Sequence, residues 1–146
     1  MRQSLKKVRL ILLVGLPAAL LACGASTAPS GNSAAGSYTA ISFVTTGSSG
    51  QRNELQAGST LVLNLNANGT TSGHLHIAAS GANPAIDADM AGTWTQSAFT
   101  VTISQNADTF VRNTSFAMSV DPARGWDLYG ETIYSNVRFQ VLLKQG

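Results

Sequence analysis

The chain has 146 residues, 44% hydrophobic and only 11% charged, with nine Lys and Arg, seven Asp and Glu, and a single cysteine. A length of this order allows one ordinary domain, and one cysteine excludes an intrachain disulfide. Beyond Arg2, Lys6, Lys7 and Arg9, five cations (Arg52, Arg112, Arg124, Arg138 and Lys144) face seven carboxylates, a net charge of −2. These cations form no cluster of the kind that releases counterions from phosphates, which excludes nucleic acid as a partner.

The four early cations precede Leu10 to Leu21, a run without a charge, and together they have the layout of an export signal. The run is shorter than the roughly 20 residues needed to cross a hydrocarbon core. It ends in Leu20-Leu21-Ala22-Cys23-Gly24, which resembles the lipobox of bacterial lipoproteins. That resemblance implies cleavage after residue 22 and acylation of Cys23. The expected address is the cell envelope, outside the cytoplasm, with membrane lipid as the partner of the acylated Cys23 on the outer or the plasma membrane. The basic isoelectric point of the whole chain, about 9.0, then belongs to the leader. Residues 23–37 comprise this cysteine and a run of small, uncharged residues, GASTAPSGNSAAGS. Such a run buries too little surface to offset its ordering entropy and reads as a flexible tether.

Residues 38–146 form the expected folded domain, and their pattern is alternation. Leu61, Leu63 and Leu65 alternate with Val62 and Asn64; Val101 and Ile103 follow Phe99 at the same spacing; so do Phe116, Met118 and Val120. A period of two marks half-buried antiparallel strands. Eight are expected, at Tyr38–Thr45, Thr60–Asn66, Thr70–Ala78, Asp89–Thr95, Ala98–Ser104, Thr114–Val120, Trp126–Ile133 and Val137–Lys144. The longer connections fall at 46–59, 79–88 and 105–113, and no long helix is expected.

Two hairpins test the register. With Ala67-Asn68-Gly69 as a three-residue loop closed by a left-handed Gly69, Leu63 faces Gly73 and Leu61 faces Leu75. The leucines then share one face, and His74 and His76 project from the other. In the next hairpin, a turn at Gln96-Ser97 would pair Trp94 with Phe99, Gly92 with Val101 and Met90 with Ile103. The expected interior is Ile41, Phe43, Leu61, Leu63, Leu65, Leu75, Ile77, Met90, Trp94, Phe99, Val101, Ile103, Phe116, Met118, Val120, Leu128, Val137, Phe139 and Val141.

A meander of eight strands can bury one face and remove its edges by closing into an up-and-down barrel. A two-sheet sandwich is the alternative that the same alternation permits. Gly69-Thr70, Ala91-Gly92-Thr93-Trp94, Asp108-Thr109-Phe110-Val111-Arg112 and Val137-Arg138-Phe139-Gln140-Val141 resemble the small lipocalin-like domains of bacterial lipoproteins. The resemblance implies an all-β, eight-stranded antiparallel barrel and a lipophilic ligand. The first-strand Gly-x-Trp of lipocalins proper is absent, since the Gly-x-Trp here, Gly92 to Trp94, lies mid-chain.

Chemistry-bearing residues are few. His74 and His76 project from one strand face, and Asp87 and Asp89 have the same spacing, so the four are the weak candidates for a metal such as zinc. Solvent-facing histidines and an acidic loop account for them equally well. The aspartates also carry the spacing of a carboxylate pair, and Asp108 and Arg112 read as an ion pair. No Gly-x-Ser-x-Gly elbow or glycine-rich phosphate loop is present, and neither enzymatic activity nor a cofactor is expected. Trp94 reads as core beside Phe99. Trp126 and Tyr129 read as rim residues of a narrow apolar pocket, with Trp94 as the third candidate ligand contact. The leading expectation is a binding module for a small apolar ligand or an envelope component. The alternatives are a protein-interaction module, such as an inhibitor or an envelope assembly factor using the Gly/Ser loop at 46–50, and a metal-dependent enzyme built on the histidine pair.

Overall fold

The computed structural model describes residues 33–81, 83–122 and 125–146. The expected signal peptide at 1–22, Cys23 and residues 24–32 of the expected tether lie outside the described residues. The described chain is all β: β1 (Gly36–Gly47), β2 (Gly50–Asn53), β3 (Thr60–Leu65), β4 (Thr70–Ile77), β5 (Ile86–Ser97), β6 (Thr100–Gln105), β7 (Ser115–Asp121), β8 (Gly125–Tyr134) and β9 (Val137–Gln145). The order β1-β3-β4-β5-β6-β7-β8-β9 is closed by antiparallel pairing of β9 with β1. The fold is therefore an eight-stranded up-and-down barrel, with β2 as a ninth strand hairpinned onto the far half of β1. Closure rules out the sandwich, because a sandwich leaves edges that this sheet lacks.

The Gly69 hairpin has the register that keeps the leucines together. Leu61 pairs with Leu75 and Leu63 with Gly73, and Gly69 has a φ of 82°, where a side chain is disfavoured. Leu61, Leu63 and Leu75 are fully buried, and the interior continues through Met90, Trp94, Val101, Ile103, Phe116, Leu128, Phe139 and Val141.

Three expected interior residues lie outside instead: Ile41, Phe99 and Val120 are 51%, 69% and 54% exposed. The register between β1 and β9 shifts between Ala40 and Ser42, so Ile41 is the extra residue of a β-bulge, which switches the inward face of β1 from Tyr38 and Ala40 to Phe43. Phe99 is exposed because the second hairpin turns at Ala98-Phe99 and not at Gln96-Ser97: Ser97 pairs with Thr100 and Trp94 with Ile103. The hairpin axis is displaced by two residues, an even number, so Trp94, Val101 and Ile103 keep the inward face and only the residue now in the turn is lost. Val120 keeps inward parity but lies where β7 runs on past the barrel end, paired only with β8 at Trp126.

The interior also takes residues from outside the expected strands. Phe110 and Val111, in the connection between β6 and β7, are buried. Phe110 stacks on Phe139 with ring centroids 4.5 Å apart and lies 5.4 Å from Phe43. Gln105, Thr109 and Thr114 are buried beside them. Gln105 Nε2 donates to Thr109 Oγ1 at 3.0 Å and the Thr114 hydroxyl to the Phe110 carbonyl at 2.6 Å, so the buried polar atoms are satisfied, as stability requires.

Gly130 shows how tightly the wall is packed. It pairs with Phe116, whose ring lies across it, so that a Cβ at Gly130 would sit 2.5 Å from Phe116 Cε1. Gly130→Ala is therefore an overpacking substitution, expected to cost about 1–3 kcal/mol, as chemical denaturation of the two proteins will show; unchanged stability would mean that the ring does not occupy this place.

Candidate functional site

The barrel has two dissimilar ends. One carries the β3–β4, β5–β6 and β7–β8 turns. The other carries the β1–β2 hairpin tip, the connections at 54–59, 78–85 and 106–114, and the β8–β9 turn.

The first end is closed by the chain that enters it. Ala34, ahead of β1, is fully buried; its N–H donates to Gln96 Oε1 at 3.0 Å and its carbonyl accepts from the Tyr38 hydroxyl at 2.6 Å. Burial pushes the Tyr38 hydroxyl up to about 12. Gln145 fastens the same end, its amide donating to the Ala35 carbonyl at 3.2 Å and accepting from the Trp126 N–H at 3.0 Å. Trp94 fills the space beneath, 7% exposed, with its indole N–H donating to the Asn66 carbonyl at 2.8 Å.

The second end opens into a cleft of about 500 Å³. Its walls come from three hairpins: Thr45, Arg52 and Glu54 from β1, β2 and the turn after them; Ile77, Pro84 and Ile86 around the β4–β5 connection; Tyr134, Val137 and Phe139 from β8 and β9. The strand residues among them carry inward parity, so the cleft is the barrel mouth itself. Its floor is aromatic, with Phe139 on Phe110 and Tyr134 at 6.4 Å from Phe139. The tight β8–β9 turn, with Ser135 and Asn136 at φ 50° and 62°, has the primed geometry of two-residue hairpins and holds Tyr134 and Val137 opposite each other.

A pair of charged side chains stands in this apolar mouth. Glu54 is 2% exposed and accepts hydrogen bonds from Thr45 Oγ1 at 2.6 Å and Ser59 Oγ at 2.8 Å. Arg52 lies 3.6 Å from its second oxygen and donates across the cleft to the Ala78 and Ala79 carbonyls at 3.3 and 3.1 Å. A buried carboxylate needs such partners. The pair ties the β1–β2 hairpin to the β4–β5 connection and is the polar feature by which a bound molecule can be oriented.

The residues singled out from sequence lie elsewhere. Trp94 and Trp126 both lie toward the closed end, and Tyr129 faces outward, its hydroxyl donating to Glu131 at 2.9 Å; none of the three lines the cleft. The stretch 46–50 is the tip of the β1–β2 hairpin, with Gly47 paired to Gly50. Asp108 and Arg112 form an exposed ion pair at 3.6 Å. The residues that sequence reasoning missed, Arg52 and Glu54, belong to no motif. The one available signal was the pairing potential of Thr45 and Gly47 with Gly50 and Arg52 across Ser48-Ser49.

His74 and His76 lie on the outer face, directly opposite Asp89 and Asp87. His74 Nδ1 is 2.8 Å from Asp89 Oδ1 and His76 Nδ1 is 2.7 Å from Asp87 Oδ1, while His74 Nε2 is 3.5 Å from Asp87 Oδ1. The ring nitrogens thus face carboxylates directly, and among the described residues no group of three or more His, Cys, Asp or Glu is arranged to hold a metal ion. The four side chains form a cross-strand charge ladder.

No family model, curated protein or solved structure matches the chain. Function is therefore read from geometry.

The ladder sets a pH window. The hydrogen bond to Asp89 holds His74 above its ordinary value of 6.5, and the bond to His76 holds Asp87 below its ordinary 3.8. The raised histidine contributes stability that is present below 6.5 and lost as pH rises through its folded value; the lowered aspartate contributes stability present above 3.8 and lost as pH falls through its own. The ladder is strongest between these limits. An NMR titration of the ring protons should place the His74 midpoint above that of a free histidine, and Asp89→Asn should lower it; an unshifted midpoint in the wild type would contradict the pairing.

Proposed function

We propose that this protein is an envelope lipoprotein, anchored through acylated Cys23, whose barrel binds a small apolar or amphipathic molecule in the open mouth, in the manner of the lipocalin-like domains that its sequence resembles. The observation that carries the reading is the mouth: about 500 Å³, walled mainly by Ile77, Pro84, Ile86, Val137 and Phe139, with Arg52 and Glu54 as its charged pair. Small-molecule sites have this character, an apolar cavity of roughly 300–1,000 Å³ with a few placed polar groups. The rest of the barrel is filled with side chains, as eight-stranded barrels can be, so the ligand sits at the end of the barrel and not along its axis.

The polarity of the barrel fits the address. The chain enters at the closed end, so an anchor at Cys23 attaches to the end of the barrel opposite the mouth and leaves the mouth accessible to soluble ligands or other envelope components. A ligand carried there exchanges with the aqueous compartment without leaving through the bilayer.

Binding of an anilinonaphthalene sulfonate dye to the purified protein tests the site independently of the anchor. Ile86→Trp, which fills an exposed wall of the mouth, should weaken dye binding by about tenfold or more, the equivalent of about 1.4 kcal/mol. Trp126→Ala, at the opposite end, should leave it unchanged. Dye binding that survives Ile86→Trp and is lost in Trp126→Ala would place the site at the wrong end of the barrel and refute the reading.

A further inference from the structure

At the closed end, β6, β7 and β8 continue past the point where the lumen is filled. Phe99 in the β5–β6 turn, Val120 near the end of β7 and Trp126 at the start of β8 all have inward parity, yet Phe99 and Val120 are 69% and 54% exposed and Trp126 is only partly buried. The segments that carry them are neighbours: the Met118 N–H donates to the Phe99 carbonyl at 2.7 Å, and Val120 pairs directly with Trp126. The result is an apolar lip on one side of this end, made of residues that a longer barrel would have covered.

The described chain begins at this same end. Ser33 and Ala34 enter beside the β5–β6 hairpin, since the Ala34 N–H is held by Gln96 Oε1 and Gln96 Nε2 in turn donates to the Ala98 carbonyl at 3.4 Å. Ten residue steps separate Ser33 from Cys23. A chain of that length cannot span more than about 36 Å. An anchor at Cys23 therefore holds the lip within a few tens of ångströms of the headgroups, at the high effective concentration that a short linker imposes.

We propose that the lip of Phe99, Val120 and Trp126 is a membrane-docking surface that seats the closed end of the barrel on the bilayer interface. This rests on the lipoprotein reading, not on the ligand reading. The amphipathic indole of a Trp favours the interface, and Phe99 and Val120 beside Trp126 add apolar contact to a lipid anchor that is otherwise free to swivel. Docking fixes the barrel axis toward the membrane normal and turns the mouth outward. None of the three side chains carries a charge, so the contact does not depend on anionic lipid.

The full chain, expressed in a lipoprotein-producing bacterium and reconstituted into phosphatidylcholine vesicles carrying a nitroxide at carbon 5 of the acyl chain, provides the test. Trp94 is enclosed and serves as background, so the nitroxide should quench mainly the Trp126 emission, by about twofold or more, and Trp126→Phe should remove the quenchable part. Phe99→Ser with Val120→Ser, both exposed positions, should reduce quenching of Trp126 to background while the protein still floats with the vesicles and keeps its β circular dichroism. Trp126 left unquenched in wild-type protein that floats would overturn the docking surface with the anchor intact, and so would quenching that survives the double substitution. Intact mass separates the other failure: a chain without acyl groups on Cys23 that fails to float would refute the lipoprotein reading, and the docking surface with it.

Discussion

The whole architecture depends on β1 pairing on both edges. One edge pairs with β9 along nearly its entire length, and the other is shared between β3 at its start and β2 at its end. The eight-stranded sheet thereby closes on itself, which is how an antiparallel sheet of this size avoids edge-to-edge association. The bulge at Ile41 makes this possible. Without it, one parity would persist through β1; with it, Tyr38 and Ala40 fill one end and Phe43 the other, where it meets Phe110 and Phe139.

The same strand makes the two ends unlike. Its first half lies under the entering chain, where Tyr38, Ala34, Gln96 and Gln145 bond the end shut. Its second half departs from β3 and pairs with β2, which opens the wall beside Glu54 and Arg52. Across the gap between β2 and the β4–β5 connection the Arg52 guanidinium reaches two backbone carbonyls. A closed end that receives the chain and an open end that faces away form a polar arrangement, and both proposed interactions, ligand at the mouth and lipid at the lip, follow from it.

Much of the barrel was legible from local pattern. Alternation identified the eight wall strands, and the leucines with Gly69 determined the β3–β4 register, because a slip there would expose three leucines. The failures share one cause: features set by closure leave little local trace. Nothing around Ile41 announces a bulge, which exists because β1 must match β9. Ala98-Phe99 lacks the glycine or asparagine that usually marks a tight turn, and Ala98 accepts a φ of 48° regardless. Phe110 and Val111 sit in a connection where apolar residues are easily read as incidental. The mouth was least legible, because it joins three connections distant in sequence that only the closed sheet brings together, whereas the tryptophans drew attention to the end that is sealed.

Closure is the claim on which all of this stands, and interstrand contacts by NMR measure it most directly. Cross-strand proton contacts should link β1 to β9 on both sides of the bulge, for example Thr39 with Lys144 and Val44 with Gln140, with slow amide exchange along both edges of β9. Contacts of β9 to β8 alone, with rapid exchange along its other edge, would mean an open sheet and would contradict the barrel, its mouth and its sealed end together.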